Sequence, residues 1–152
     1  MPSRSPKTSK SRLFGSAGDA FVLKITTDGG ARGNPGPAAA GAVVGDKEYG
    51  EYLGVRTNNY AEYYAIVLAL RKAKQLLGKT KSKKTEVVMQ MDSELAVRQL
   101  NHQYKLNDPD IQRFFIEIWN LMLDFKSVTF SHIRREQNKK ADAVVNRVLD
   151  AQ

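Results

Sequence analysis

Several features that would fix a class of protein are missing from this sequence. It contains no cysteine, which excludes disulfides and thiolate metal sites and leaves oxygen ligands for any bound metal. No apolar run comes near the roughly 18 residues that a membrane-spanning helix needs, and the first residues lack the apolar core of a secretory signal. We therefore expect a protein of the cytoplasm with no membrane partner.

Negative charge is also scarce. Sixteen Asp and Glu residues face 24 Lys and Arg residues, so the formal net charge is +8. Such an excess favours polyanionic partners such as nucleic acids, although a basic protein that is merely soluble has the same composition. The hydrophobic content of 41% and the length of 152 residues suit one domain with a sizeable core. We expect this domain to be a monomer.

The start of the chain differs in composition from the rest. Residues 1–20 are rich in Ser, Lys, Arg, Pro and Gly and contain a single acid, Asp19. This composition predicts a disordered basic tail, followed by a folded domain over residues 21–150. A transit peptide is the alternative, but a solvated tail that weakly attracts nucleic acid fits the composition better.

The rest of the chain is organised around one acidic and glycine-rich stretch. Residues 21–27 (FVLKITT) are typical of a β-strand, and we expect this strand to end at Asp28. Four glycines and two prolines follow over residues 29–37, and glycine frees backbone N–H groups to approach an anion. An acid beside a phosphate-binding loop makes sense if a divalent cation lies between them, although Asp-Gly is also a common plain turn.

The remaining pattern alternates short strands with amphipathic helices. It predicts strands over residues 38–44, 48–53, 85–91 and 127–133, and helices over residues 58–77, 94–101, 107–124 and 138–149. The Gly45-Asp46-Lys47 spacing indicates an antiparallel hairpin, so the first three strands form a meander. Gly78 is expected to end the first helix, before the basic loop 78–84, and Trp119 to pack in the core. The fold class is α/β, a mixed sheet with helices packed on it.

Four acids occupy corresponding places in this pattern. Asp28 and Asp92 each follow a strand, while Glu62 and Asp142 lie in the first turns of helices, beside the apolar stripe. A first-turn acid can also serve the helix dipole alone, which is the alternative for Glu62. Gathered at one sheet edge, four carboxylates would repel one another unless cations neutralised them. Oxygen ligands suit Mg²⁺ or Mn²⁺, and two such ions can assist phosphoryl displacement.

Four blocks of sequence carry a resemblance to a known family. They are TDGGARGNPGPAAAG (27–41), TNNYAEYYA (57–65), MDSELAVRQL (91–100) and HIRREQNKKAD (132–142). In order, spacing and element type the chain resembles the type 1 ribonuclease H family from about residue 21 to 149. The resemblance implies a ribonuclease H-like five-stranded mixed sheet, with three antiparallel and then parallel strands, flanked by helices. It also implies an endonuclease that hydrolyses the RNA strand of RNA–DNA hybrids and leaves 5′-phosphate and 3′-hydroxyl ends.

The same resemblance assigns roles to particular residues. It makes Asp28, Glu62, Asp92 and Asp142 the catalytic ligands of two Mg²⁺ or Mn²⁺ ions, with Arg135 or His132 as the further catalytic group in the loop before Asp142. Family members often have a histidine in this loop; because His132 ends a strand here, Arg134 or Arg135 would hold the loop position instead, and we expect Arg135 to matter more than His132. Contacts to the RNA–DNA hybrid would fall on nine residues: Gly29, Gly30, Arg32, Asn34, Thr57, Asn58, Asn59, Ser93 and Asn138.

A further departure from the family and two rival functions stay open. Many members carry a basic helical protrusion where this chain reads NHQYKLNDPDIQ, so we expect substrate affinity to depend on the tail and on residues 79–84. The rivals are a metal-dependent DNA nuclease of the integrase type and a catalytically silent module that binds hybrid.

Overall fold

The computed structural model describes residues 14–17 and 20–152. The strands within these residues are β1 (Phe14–Ala17), β2 (Ala20–Ala31), β3 (Gly36–Val44), β4 (Lys47–Arg56), β5 (Thr85–Met91) and β6 (Ser127–His132). The helices are α1 (Asn58–Ser82), α2 (Glu94–Leu100), α3 (Pro109–Met122) and α4 (Lys139–Asp150), with a short 3₁₀ helix at Arg135–Gln137 before α4. The predicted order of strands and helices is therefore confirmed.

All the strands belong to one mixed sheet. Its order is β4-β3-β2-β5-β6, with β2, β3 and β4 antiparallel and β5 and β6 parallel to β2. The long β5 and β6 crossovers pass through helices, as parallel pairing requires. The predicted five-stranded arrangement of an antiparallel meander followed by parallel strands is confirmed.

A sixth strand, β1, was not expected. Phe14 pairs with Leu23 and Ala17 with Ala20, in antiparallel register. Because β3 pairs with β2 only from Ile25 onward, the first residues of β2 have backbone groups free on that side, and β1 occupies them. The disordered tail was predicted too long at this point, since residues 14–17 form a strand. The rest of the predicted tail, residues 1–13 and 18–19, lies outside the described residues.

Helices cover the two faces of the sheet at consecutive glycines of β2. A Cβ atom at Gly29 would stand 2.2 Å from the carbonyl carbon of Ala61, so α1 touches the backbone of β2 on one face. A Cβ atom at Gly30 would meet Val145 of α4 at 3.7 Å, on the opposite face. The larger core lies on the α1 face, where Ile25, Ile66 and Met89 are fully buried.

Three local expectations need correction. β2 continues to Ala31, so only residues 32–35 form the connection to β3, and Gly29 and Gly30 are strand residues paired with Ala40 and Ala39. Gly78 adopts φ 78°, which interrupts the helix, but helical structure resumes after it as far as Ser82. Trp119 is 53% exposed, because its ring lies beside Phe115 on an open cleft between α3 and β6 and not in the core.

No helix in residues 14–17 and 20–152 combines the length and the apolar character that crossing a membrane would require.

Candidate active site

The parallel pairing of β2 and β5 brings the first two acids together. The ladder between these strands ends where Thr27 pairs with Met91, so Asp28 and Asp92 follow at the same edge of the sheet. Asp28 belongs to β2 itself, where it pairs with Gly41 of β3, and is not at the end of the strand as the sequence suggested. The strand ends that matter are those of the parallel ladder, as expected for ligand sites in α/β sheets.

Helix α1 adds the third acid. Thr57 begins this helix, and its hydroxyl accepts a hydrogen bond from the Tyr60 amide at 3.1 Å. Because Gly29 has no side chain, the first turns of α1 lie directly on β2, and the amide nitrogen of Glu62 comes within 2.3 Å of where a Gly29 Cβ would be. Close packing at one glycine therefore brings Glu62 beside Asp28.

Helix α4 adds the fourth acid by the same means on the opposite face. A Cβ atom at Gly41 would stand 2.8 Å from the carbonyl oxygen of Ala141, so the first turn of α4 lies against β3. Asp142 follows at the next position and is exposed. The Asn146 amide donates to its Oδ2 at 3.3 Å.

Asn138 joins α4 to the sheet. It is 1% exposed, and its Nδ2 donates to the Thr27 carbonyl at 2.8 Å and to Asp92 Oδ2 at 3.0 Å. An Asn at the start of a predicted helix favours a side-chain cap, but Asn138 occupies the N-cap position of α4 without a side-chain capping bond. Sequence reasoning missed this link between Asn138 and Asp92, because nothing in the local sequence indicates that residues 46 positions apart meet.

Burial and mutual repulsion raise the pKa values of two of the acids. The pKa of Asp28 rises to about 8, first through burial and then through the charges of Asp92, Asp142 and Glu62. The pKa of Glu62 rises to about 7, through burial and the charge of Asp92, while Ser93 and Arg135 act in the opposite direction. All four acids thus form one electrostatic cluster.

The chemistry of this cluster suits a divalent cation. Asp28, Glu62, Asp92 and Ser93 line a crevice of about 10 Å³, which is room for about one water-sized particle. The donors are carboxylate oxygens with repelling charges, as Mg²⁺ and Mn²⁺ prefer. Within the described residues, the side chains as they stand leave no set of three His, Asp or Glu groups in an ion-binding arrangement. Ligation would therefore require side-chain rotation toward a common point.

Several residues expected to contact nucleic acid make bonds within the protein. Asn58 Oδ1 accepts from the Ala31 amide at 2.8 Å, and Asn34 Oδ1 accepts from the Asn58 amide at 3.0 Å. These bonds attach the 32–35 connection to the start of α1. Arg32 forms an ion pair with Asp150 at 2.7 Å, and Ser93 caps α2 through the Ala96 amide at 3.2 Å. Their predicted contacts with a substrate stay predictions.

Asn59 differs from its neighbours, because its buried Oδ1 has no hydrogen-bond partner among the described residues.

Arg135 and His132 occupy different surroundings. Arg135 lies in the 3₁₀ helix, close enough for its charge to lower the pKa of Glu62. His132 is the last residue of β6 and pairs with Met91, which places it on the same face of the sheet as Phe130. The charge of Arg135 therefore bears on Glu62, while the relative importance of Arg135 and His132 stays a prediction.

A mixed sheet of this order, with acids from two parallel strands and from helices on both faces, defines the ribonuclease H-like class of α/β proteins. Residues 26–148 match the reverse transcriptase-like family. The chain is 37% identical over 129 residues to ribonuclease HI of Halobacterium salinarum. This alignment covers 81% of this chain and 62% of that protein. It is 34% identical over 134 residues to the bifunctional protein Rv2228c of Mycobacterium tuberculosis. That alignment covers 84% of this chain and 35% of the relative.

Solved structures give the same relationship. LC11-RNase H1 in complex with an RNA/DNA hybrid has a TM-score of 0.79 at 40% identity, over 85% of this chain and 97% of that one. RNase H1 from Halobacterium salinarum has a TM-score of 0.78 at 35% identity, over 86% and 99%. The chain therefore belongs to the reverse transcriptase-like family, within which it is a member of the type 1 ribonuclease H group.

Proposed function

We propose that this protein is an endoribonuclease that hydrolyses the RNA strand of RNA–DNA hybrids. The observation that carries the proposal is the meeting of Asp28, Glu62, Asp92 and Asp142, from four separate elements, at the end of the β2–β5 ladder. Relatives named ribonuclease HI and a related structure that holds an RNA/DNA hybrid support this substrate. The chain spans 35% of the length of Rv2228c and 62% of the length of the Halobacterium ribonuclease HI. The activity of any longer protein that contains this chain is therefore part of the proposal.

The acids would act on the scissile phosphate through Mg²⁺ or Mn²⁺. The carboxylates of Asp28, Glu62, Asp92 and Asp142 would hold two such ions, whose chemistry there would be activation of water and neutralisation of charge on the leaving oxygen, and the expected products carry 5′-phosphate and 3′-hydroxyl ends. Asp28 and Glu62 hold protons near neutral pH in the free protein and would lose them on ion binding. Arg135 is placed to stabilise negative charge beside Glu62.

The hybrid would contact the surface around this cluster. The start of α1 and the 32–35 connection, which Asn34 and Asn58 hold together, would face the backbones of the two strands. A protein distinguishes RNA from DNA at a given position by the 2′-hydroxyl. We therefore expect cleavage to need several consecutive ribonucleotides on one strand.

The test is a cleavage panel of labelled RNA–DNA hybrid, DNA duplex and RNA duplex, each with Mg²⁺ and with EDTA. We expect cutting of the hybrid with Mg²⁺ only, and a loss of about 10³-fold or more in Asp28→Asn and Asp92→Asn. Efficient cutting of the DNA duplex would favour the integrase-type nuclease. Tight binding of hybrid with no cleavage in Mg²⁺ would favour the silent binding module.

A further inference from the structure

Asn138 links the positions of three of the four acids. Its Nδ2 donates to Asp92 Oδ2 at 3.0 Å and to the carbonyl oxygen of Thr27, the residue before Asp28, at 2.8 Å. Its own backbone carbonyl accepts a hydrogen bond from the Asp142 amide at 3.1 Å. This residue therefore ties the end of the β2–β5 ladder to the first turn of α4.

The orientation of the Asn138 side-chain amide follows from what it faces. The Thr27 carbonyl and the Asp92 carboxylate are both acceptors, so the NH₂ end of the amide has to point toward them. The other end, Oδ1, is buried and has no hydrogen-bond partner among the described residues, which costs stability. An apolar side chain could join α4 to the sheet without that cost. The amide is therefore best explained by the hydrogen bond that it donates to Asp92.

Burial separates this role from contact with a substrate. The family resemblance assigns Asn138 to the residues that contact the hybrid, which requires an accessible side chain. Asn138 is 1% exposed, so a nucleic acid would have to displace the groups that cover it. A role that acts through Asp92 needs no such displacement, because the two side chains are already hydrogen-bonded.

We propose that Asn138 is a positioning residue, which holds Asp92 in one orientation and sets the start of α4, and with it Asp142, relative to Asp92. The inference rests on the proposed function, in which these acids hold Mg²⁺ or Mn²⁺. Because the described side chains offer no ready set of three ligands, the acids have to converge when an ion binds. A carboxylate that is already hydrogen-bonded has less rotational freedom to lose. Such bonds to metal ligands contribute about 10–100-fold to metal affinity or activity.

The first experiment is a ¹⁵N-amide NMR titration with Mg²⁺, without hybrid, of the full unmodified chain, Asn138→Ala and Asn138→Ser. Serine is favoured before a helix but is too short to reach both acceptors, so Asn138→Ser supports the start of α4 while losing the amide. We expect the Mg²⁺ dissociation constant of both variants to rise about tenfold or more. An unchanged dissociation constant in whichever variant folds, or no Mg²⁺-dependent shifts near the acids in the unmodified protein, would overturn the proposal.

Asn101→Ala is the matched control. Asn101 also joins a helix to a strand, because it follows α2 and its Nδ2 donates to the Phe130 carbonyl at 3.2 Å. Within the described residues it has no hydrogen bond to an acid. We expect Asn101→Ala to lower the free energy of unfolding in urea, as Asn138→Ala does, but to leave Mg²⁺ binding unchanged. Equal weakening of Mg²⁺ binding in the two variants would attribute the effect to lost stability and reject the role in positioning.

Steady-state cleavage of hybrid separates positioning from substrate contact. At a Mg²⁺ concentration that saturates the unmodified protein, we expect Asn138→Ser to lower kcat by about 10–100-fold and to leave the KM for hybrid nearly unchanged. A raised KM with unchanged kcat would instead assign Asn138 to the hybrid interface and overturn the proposal. The Mg²⁺ titration uses no hybrid. A failure of the unmodified protein to cleave would therefore reject the nuclease function without touching the result for Asn138, and the converse also holds.

Discussion

At the scale of single residues, the carboxylate cluster costs the protein stability. The pKa of Asp28 is 3.8 in a free chain and about 8 in the fold, and that of Glu62 is 4.5 and about 7. Between those values the folded state binds more protons than the unfolded state, so the free energy of unfolding falls as pH rises from about 4 to 8. We expect Asp28→Asn to be more stable than the unmodified protein by about 1–3 kcal/mol at pH 8 in EDTA.

That prediction is checked by urea denaturation from pH 4 to 8.5. The gap between the two proteins should narrow toward pH 4, because the Asp28 carboxyl group is then protonated in the fold and approaches its pKa of 3.8 in the unfolded chain. Asp46→Asn, at the exposed turn between β3 and β4, serves as the control and should leave the pH profile unchanged. Equal pH slopes for Asp28→Asn and the unmodified protein would contradict the raised pKa.

Addition of Mg²⁺ gives a separate prediction for the same residue. Because an ion would neutralise the cluster, Mg²⁺ should raise the free energy of unfolding of the unmodified protein at pH 8, and should do so much less for Asp28→Asn. Thermal unfolding over a series of Mg²⁺ concentrations measures this effect. A similar rise in both proteins would show that the ion acts away from Asp28.

The second residue-scale comparison concerns the loop before Asp142. We expect Arg135→Ala to lower turnover more than His132→Ala, because Arg135 interacts with Glu62 and His132 belongs to the strand. Single-turnover and steady-state cleavage of hybrid by both variants, from pH 6 to 9, separates chemistry from product release. If His132→Ala loses more activity, together with a titration near neutral pH, the histidine is the working group.

At the scale of elements, the contact between β2 and α1 decides whether the acids meet. Gly29→Ala would place a methyl group 2.2 Å from the Ala61 carbonyl carbon, so backbone has to move; we expect a loss of about 2–4 kcal/mol of stability. Gly30→Ala is the matched control, since its methyl group would meet only Val145 at 3.7 Å, and it should change stability by less than about 1 kcal/mol. Chemical denaturation of both variants measures the difference, and equal stabilities would show that α1 can yield at this contact.

The sequence predicts the strands, the helices and the four acids, but it does not predict how the strands and helices pack against one another. Hydrophobic periodicity placed Glu62 beside the stripe of Ile66, Ala69 and Ala73, all of which are buried. The sequence predicts a phosphate-binding loop at Gly29 and Gly30, whereas the structure has strand residues there. A run of glycines looks the same in a sequence whether it exposes backbone amides to an anion or lets a helix pack closely on a strand. The strand β1 and the exposure of Trp119 depend on what lies beside them in space, which local patterns do not specify.

At the scale of the whole molecule, the basic segment 79–84 and the carboxylates lie apart. Residues 79–84 precede Thr85, the first residue of β5, whereas Asp92 follows its last, so this basic segment is at the far end of the sheet from the acids. Its predicted part in substrate affinity therefore requires a hybrid that extends along the protein. The basic residues of the tail, Arg4, Lys7, Lys10 and Arg12, are the other predicted source of affinity.

The tail prediction follows from this distribution. Deleting residues 1–12 removes those four cations and leaves β1 in place, which a deletion to residue 18 would not. We expect a higher KM with little change in kcat, and a salt dependence that is less steep by roughly one unit for each phosphate that the tail no longer neutralises. Steady-state cleavage over a salt series measures both quantities, and replacing the four cations with Gln should reproduce the deletion. An unchanged KM at every salt concentration would mark the tail as passive.

The position of the turn between α1 and β5 has a practical consequence. Cutting the chain at Lys83–Lys84 would divide the acids equally, with Asp28 and Glu62 on one piece and Asp92 and Asp142 on the other. Neither piece could form the cluster alone, because β5 of the second piece has to pair with β2 of the first to bring the two pairs of acids together. Fused to two interacting proteins, the pieces would form a split reporter whose cleavage signal appears only when its halves reassemble.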